Sequence, residues 1–258
     1  MSTSPTRNFS WRHAVLVLLM IFPLVLLLTL DPIPQDLAYH HFVDAGRHLG
    51  VPNFFDVISN LAFLLVGAAG IAFCLKNHSG PSHSAWLVLF VAVSLVSFGS
   101  IYYHWSPSNE TLVWDRLPMS IGFMGLLTAL LSEYIDSRLS SLLVPLIILG
   151  IGSVLYWHFF DDLRLYAWVQ FFPLLMIPFL MALFRSRFTH QWLLLSALAL
   201  YAVAKGSEAY DRAVFQITGE AVSGHTIKHL LAAASCYAIL IMLQRRKLKA
   251  REVSAPLF

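Results

Sequence analysis

The chain has 258 residues, of which 58% are hydrophobic and 12% charged, with a net charge of +3 and a mean hydropathy of +0.69. Soluble domains carry roughly 25% charged residues, so a soluble domain is excluded, and so small a positive excess gives no basis for a nucleic-acid partner. The apolar residues fall in blocks that approach the roughly 20 residues a bilayer crossing needs, so the expected fold is an all-α polytopic transmembrane helix bundle.

In chain order, the first apolar run covers residues 14–30, behind Arg7 and Arg12. It has the outline of a signal peptide but ends in LLLTLDPIP, with no small-residue cleavage site, and is read as a retained helix. A long stretch, 31–53, separates it from the next spans. These are expected near 54–75, 86–104, 116–132, 139–158 and 165–184, followed by 191–210 and 226–243. The span at 191–210 is the weakest, because its second half, AKGSEAYDR, is polar. A second long stretch, 211–225, precedes the last span, and the chain closes on a basic tail, RRKLKAR. Cys74 and Cys236 both lie inside apolar runs, where a thiol behaves as a small buried apolar group.

Eight spans put both termini on one side. With the N-terminus in the cytoplasm, 11 of the 17 Lys and Arg fall inside and 11 of the 14 acidic residues fall outside. That agrees with the positive-inside rule, which rests on Lys and Arg. This topology gathers polar residues at the outer helix ends. His104 ends the third span, Asp115 begins the fourth, and His225 and His229 open the eighth. Ser100 lies one helical turn below His104, and residues four apart share a helix face.

Each of these residues has a plain structural reading. An H-x-x-x-H pair is close to what eleven histidines give by chance. Asp115 could serve the dipole of a helix start, and Ser100 could bond back to its own helix. Together they suggest more, since ionisable groups inside membrane spans are costly and usually functional. Three imidazoles with one open position form a catalytic zinc arrangement. A carboxylate beside it can move protons, and a hydroxyl can donate to a developing oxyanion.

GSIYYHWSPSNETLVWDRLPM, with Asp115 eleven residues after His104, resembles the G-S-x-x-x-H and D-x-L-P-M segments of the alkaline ceramidases. GHTIKHLLAAASCY resembles their closing H-x-x-x-H helix, and NFFDVISNLAF resembles the opening of their first core helix. The wider superfamily also holds seven-helix membrane hydrolases and progestin/adiponectin-type receptors. The resemblance implies a seven-helix core at 54–243, with an added N-terminal tail and helix (1–30), an outer loop (31–53) and a basic cytoplasmic tail (244–258), in one membrane domain. It implies that His104, His225 and His229 bind Zn2+. Asp115 would then handle the proton of the zinc-bound water, and Ser100 would support the zinc site or the amide oxyanion. The reaction implied is hydrolysis of the amide of a ceramide-like lipid to a fatty acid and a sphingoid base. Calcium (Ca2+) is not carried over with zinc: the family's glutamate falls on Asn53, and Asp31, Asp36, Asp44 and Asp56 are spaced differently. AYHHFVDAGR resembles bacterial members, which implies a bacterial inner membrane with the site facing outward.

Lys205, Glu208 and Asp211 are read either as a structural ion-pair group closing the bundle or as support for the site or a lipid headgroup. Arg116 either orients Asp115 or meets an anionic headgroup. Lys228 is expected to snorkel or to pair with an outer carboxylate. Two other functions compete with hydrolysis. One is a receptor of the same superfamily with little or no turnover. The other is a transporter or retinal protein using Lys205 or Lys228, although Lys228 lies shallow for a retinal pocket.

Overall fold

The computed structural model describes residues 10–78 and 80–249. The beginning of the N-terminal tail and the basic tail from residue 250 onward lie outside the described residues. The helices are α1 (Trp11–Thr29), α2 (Phe54–Ser59), α3 (Leu61–Lys76), α4 (His83–Trp105), α5 (Asn109–Tyr134), α6 (Leu143–Phe160), α7 (Arg164–Leu183), α8 (Leu193–Ala209), α9 (Asp211–Ile217) and α10 (Gly224–Arg245). Short 3-10 turns cover Leu37–His40 and Ser137–Leu142.

Among the described residues, seven helical runs are long and apolar enough to cross a membrane: α1, Phe54–Lys76, α4, α5, Ser137–Phe160, α7 and α10. The protein is an integral membrane protein built as a polytopic helical bundle. The expected span at 191–210 is present as α8 but has only 17 residues. Its polar end turns at Tyr210 into the short α9, which occupies part of the expected loop 211–225. The fourth span begins earlier than expected. Ser108 caps α5, accepting from the Thr111 amide at 3.3 Å while the Thr111 hydroxyl accepts from the Ser108 amide at 3.0 Å. Such reciprocal caps start a helix firmly, so Asp115 sits nearly two turns inside α5 and not at its mouth.

α5 is the central helix, with 72% of its apolar window buried against α4, α6 and α7. α1 lies at the periphery. Only 6% of it is buried, and it rests on α7, where Trp168 Nε1 donates to the Met20 carbonyl at 3.2 Å. Its exposed leucines and valines suit contact with lipid.

A buried polar clasp closes the end of the bundle away from the histidines. Glu133 Oε1 accepts from Ser82 Oγ at 2.7 Å, Trp86 Nε1 at 2.7 Å and Arg246 Nη1 at 2.8 Å. This ties the start of α4 to the end of α5 and to the residue after α10. Arg246 therefore turns inward, whereas the sequence had it in a solvated basic tail. At the opposite end, His158 and Asp161 are exposed, but Asp162 is not. Asp162 is buried and bound by Arg164, which holds its carboxyl below the usual carboxylate range. Asp161 accepts from the Gln35 amide at 2.9 Å and so anchors the loop 31–53.

Candidate metal centre

Close helix contact builds the site. A Cβ on Gly99 would overlap the carbonyl oxygen of Trp114, so glycine here lets α4 and α5 touch one residue away from both Ser100 and Asp115. Pro118, with no amide hydrogen, leaves that same Trp114 carbonyl without its helical donor. On α10, a Cβ on Gly224 would overlap the Ser207 carbonyl oxygen, which brings the histidine end of α10 against α8. Ser223 caps α10 by accepting from the Thr226 amide at 3.0 Å, and Asp211 accepts from the His225 amide at 2.8 Å. Two partners therefore satisfy amides that a helix start otherwise leaves open.

The three histidines meet at one point. His104, His225 and His229 are 0%, 4% and 3% exposed, and each pair of rings is 4.9 Å apart between centroids. One nitrogen from each lies within 4.8 Å of the others, which makes them a group that could hold a metal ion. Neither ring nitrogen of His104 has a hydrogen-bond partner among the described residues, although both are buried. Buried polar atoms are seldom left unpaired, and a metal ligand is one reason for such a vacancy of partners.

Neighbouring groups orient the rings. Ser59 Oγ donates to the Asp56 carbonyl at 3.1 Å and lies 2.8 Å from His229 Nδ1. With that hydrogen used, the serine would accept from Nδ1–H, which leaves Nε2 as the nitrogen that could bind a metal. A second hydrogen bond of this kind commonly fixes the tautomer of a ligating histidine. Asn53 Nδ2 donates to the His104 carbonyl at 2.8 Å. From the loop, the Phe42 ring lies 4.6 Å from the His104 ring and 5.0 Å from that of His225. Lys228 Nζ lies 2.7 Å from His225 Nε2 and donates to Glu208 Oε1 at 3.0 Å. A metal bound by His225 would use the nitrogen that Lys228 does not touch, or displace the lysine.

The remaining expected residues divide into two groups. Ser100 and Asp115 are buried side by side, with the Ser100 hydroxyl against the Asp115 carboxylate. Both line a cavity of about 230 Å³ together with His229, Arg116, Lys205, Glu208 and Lys228. Its far end is apolar and reaches Leu89, Leu126 and Ile239. Asp211 does not line the cavity; it accepts from the His225 amide at the start of α10. Glu208 joins Lys205 and Lys228 in ion pairs and accepts from Tyr39 Oη at 3.1 Å. Burial, then the nearby Glu208 charge, pushes the Tyr39 phenol well above its ordinary pKa, so it stays a donor.

Ser59, Phe42, Tyr39 and Asp56 carry roles that sequence reasoning did not assign. Ser59 and Asp56 stand inside the quoted segment NFFDVISNLAF, so their place in the family pattern was a usable signal. Phe42 and Tyr39 had none, being aromatic residues in a loop.

A bundle of apolar membrane helices enclosing a buried three-histidine group and a cavity with one polar and one apolar end defines a class of membrane proteins with an internal candidate metal centre. Residues 50–255 match the ceramidase family, and the chain belongs to that family. No curated protein matches the chain. Membership suggests ceramide hydrolysis, a reaction of an amide, in a membrane protein. α1 and most of the loop 31–53 fall outside the matched region.

Proposed function

We propose that this protein is a zinc-dependent hydrolase that cleaves the amide of ceramide-like N-acyl lipids to a fatty acid and a sphingoid base. One observation carries the reading: three buried histidines converge, and one of them, His229, lines the polar end of a cavity whose far end is apolar. The donor set fits zinc, since three imidazoles leave one position open, and the unpaired nitrogens of His104 need a partner.

Zinc bound there would act as a Lewis acid and bring the pKa of a water toward about 7. Asp115 is the group that accepts a proton from the attacking water and returns it to the leaving amine. Ser100 holds the Asp115 carboxylate in place and is near enough to the cavity to support the amide oxygen. Ser59 holds His229 in one tautomer. Phe42 covers the outer side of two histidine rings and keeps bulk water from the centre. The apolar end of the cavity takes the acyl chain.

With eight spans, the positive-inside count supports a site at the outer face of the membrane; a bacterial plasma membrane, and α1 added ahead of a seven-helix core in one membrane domain, follow the family resemblance. The test is metal analysis and fatty-acid release from ceramides, on wild type and His104→Ala in parallel. The expected result is one zinc per chain and release, both lost in the variant. Wild type purified without chelator but lacking zinc refutes the reading. Zinc without release from any N-acyl lipid favours a receptor of the same fold.

A further inference from the structure

The polar end of the cavity carries more positive charge than cleavage of a neutral amide would use. Arg116, Lys205 and Lys228 line it, against the carboxylates of Asp115 and Glu208. Glu208 receives both lysines, so two ammonium groups share one carboxylate. Two further acids lie behind the lining, where the Asp56 charge acts on Lys228 without reaching the cavity. Asp56 accepts from Thr226 Oγ1 at 2.7 Å, Asp211 accepts from the His225 amide, and neither lines the cavity. An unmatched cation in a low-dielectric interior is costly, and a metal on the histidines would add to the excess.

The three cations are not equivalent. The Arg116 guanidinium lies 4.0 Å from the Trp157 ring centre and 4.9 Å from that of Tyr166, and donates to Gln35 Oε1 at 2.7 Å. It is boxed in by aromatic faces, and its buried Nη1 has no hydrogen-bond partner among the described residues. Lys205 has a side chain 36% exposed, and that of Lys228 is 15% exposed. The lysines are the more exposed of the three cations and so the first to meet a ligand that enters. The geometry also sets its orientation. Residues 229 to 239 of α10 line the cavity from the histidines to its apolar end, about 15 Å at the helical rise. An acyl chain lying there puts its amide at the histidines and its amine half toward Lys205 and Lys228.

We infer that the preferred substrate carries its own anion: an N-acyl amide whose amine half bears a carboxylate or phosphate, held by Lys205 and Lys228. The inference rests on the amide-hydrolase reading for its chemistry, but its binding test does not depend on turnover. Zinc-loaded protein in detergent is mixed with N-dodecanoylglycine, with the neutral N-dodecanoylethanolamine, or with dodecanoate. Stopped-flow tryptophan fluorescence reads binding ahead of any turnover, and fatty-acid release is followed in the same samples. Ceramide 1-phosphate against ceramide repeats the comparison for phosphate.

The expected result is binding of N-dodecanoylglycine about tenfold tighter than the neutral amide. Lys205→Gln should remove most of that preference, and Lys205→Arg should retain it. Equal affinity for the two amides, or a preference that survives Lys205→Gln, overturns the inference. So does dodecanoate binding as tightly as N-dodecanoylglycine, since the lysines would then serve the acyl product. A Lys205-dependent preference without release upholds the anion site and removes the hydrolase reading. Release from both amides with equal affinity does the reverse.

Discussion

Ser59 Oγ lies 2.8 Å from His229 Nδ1, and its own hydrogen is spent on the Asp56 carbonyl. The short helix α2 therefore decides which nitrogen α10 offers to the centre of the bundle. Removing the hydroxyl frees the ring to turn and to change tautomer. Ser59→Ala is expected to weaken zinc binding by about 10- to 100-fold, with the helical fold kept. Zinc competition with a fluorescent chelator measures this; unchanged affinity would show that Ser59 only fills space.

Asp115 and the histidines should separate in their effects. Asp115→Asn keeps the size of the side chain and its contact with Ser100, but cannot take a proton. Release of fatty acid is expected to fall by about 10²- to 10⁴-fold, with zinc content unchanged. Zinc content and turnover measured on one preparation decide it. Loss of zinc along with activity would make Asp115 a support for the metal site.

Gly99→Ala tests the close approach of α4 and α5. The added methyl meets a backbone carbonyl, which cannot move aside as a flexible side chain would. Overpacking of this kind costs about 1–3 kcal/mol. A lower unfolding temperature in detergent is expected, together with reduced zinc content, because the strain falls beside Ser100 and Asp115.

Glu133→Gln tests the clasp at the other end. The change leaves Arg246 buried without its counter-charge. Breaking one side of a buried pair costs about 3–5 kcal/mol. Thermal stability should fall sharply while zinc content at the distant histidines stays at its wild-type value in the folded fraction.

The loop 31–53 has a pH dependence of its own. Arg164 holds the Asp162 carboxyl below its ordinary value. A depressed carboxylate contributes stability above its unfolded pKa and loses it only as pH falls through the lower folded value. Asp162 accepts from the Ile33 amide at 3.4 Å, and this anchor should thus survive from neutral pH down to about 4 and be lost below that. Hydrogen exchange in residues 31–40 reads it, and Asp162→Asn should expose the segment at every pH.

Composition and hydropathy alone determined that this is a helical membrane protein, because only long apolar helices satisfy their own backbone in lipid. The spacing of His225 and His229, and of Ser100 and His104, was legible too, since helical period places such residues on one face. The polar AKGSEAYDR stretch marked the weak span, and α8 proved short there. Tertiary structure decided the rest. Whether three separate faces turn to one point depends on how helices pack, which Gly99 and Gly224 control by what they lack. The partners of Ser59, Phe42 and Lys228 come from elements 20 to 183 residues away in sequence, and no periodicity reports a contact of that kind. Arg246 shows the same limit in reverse: a basic tail residue by sequence, it is drawn inward by Glu133, a carboxylate buried 113 residues earlier.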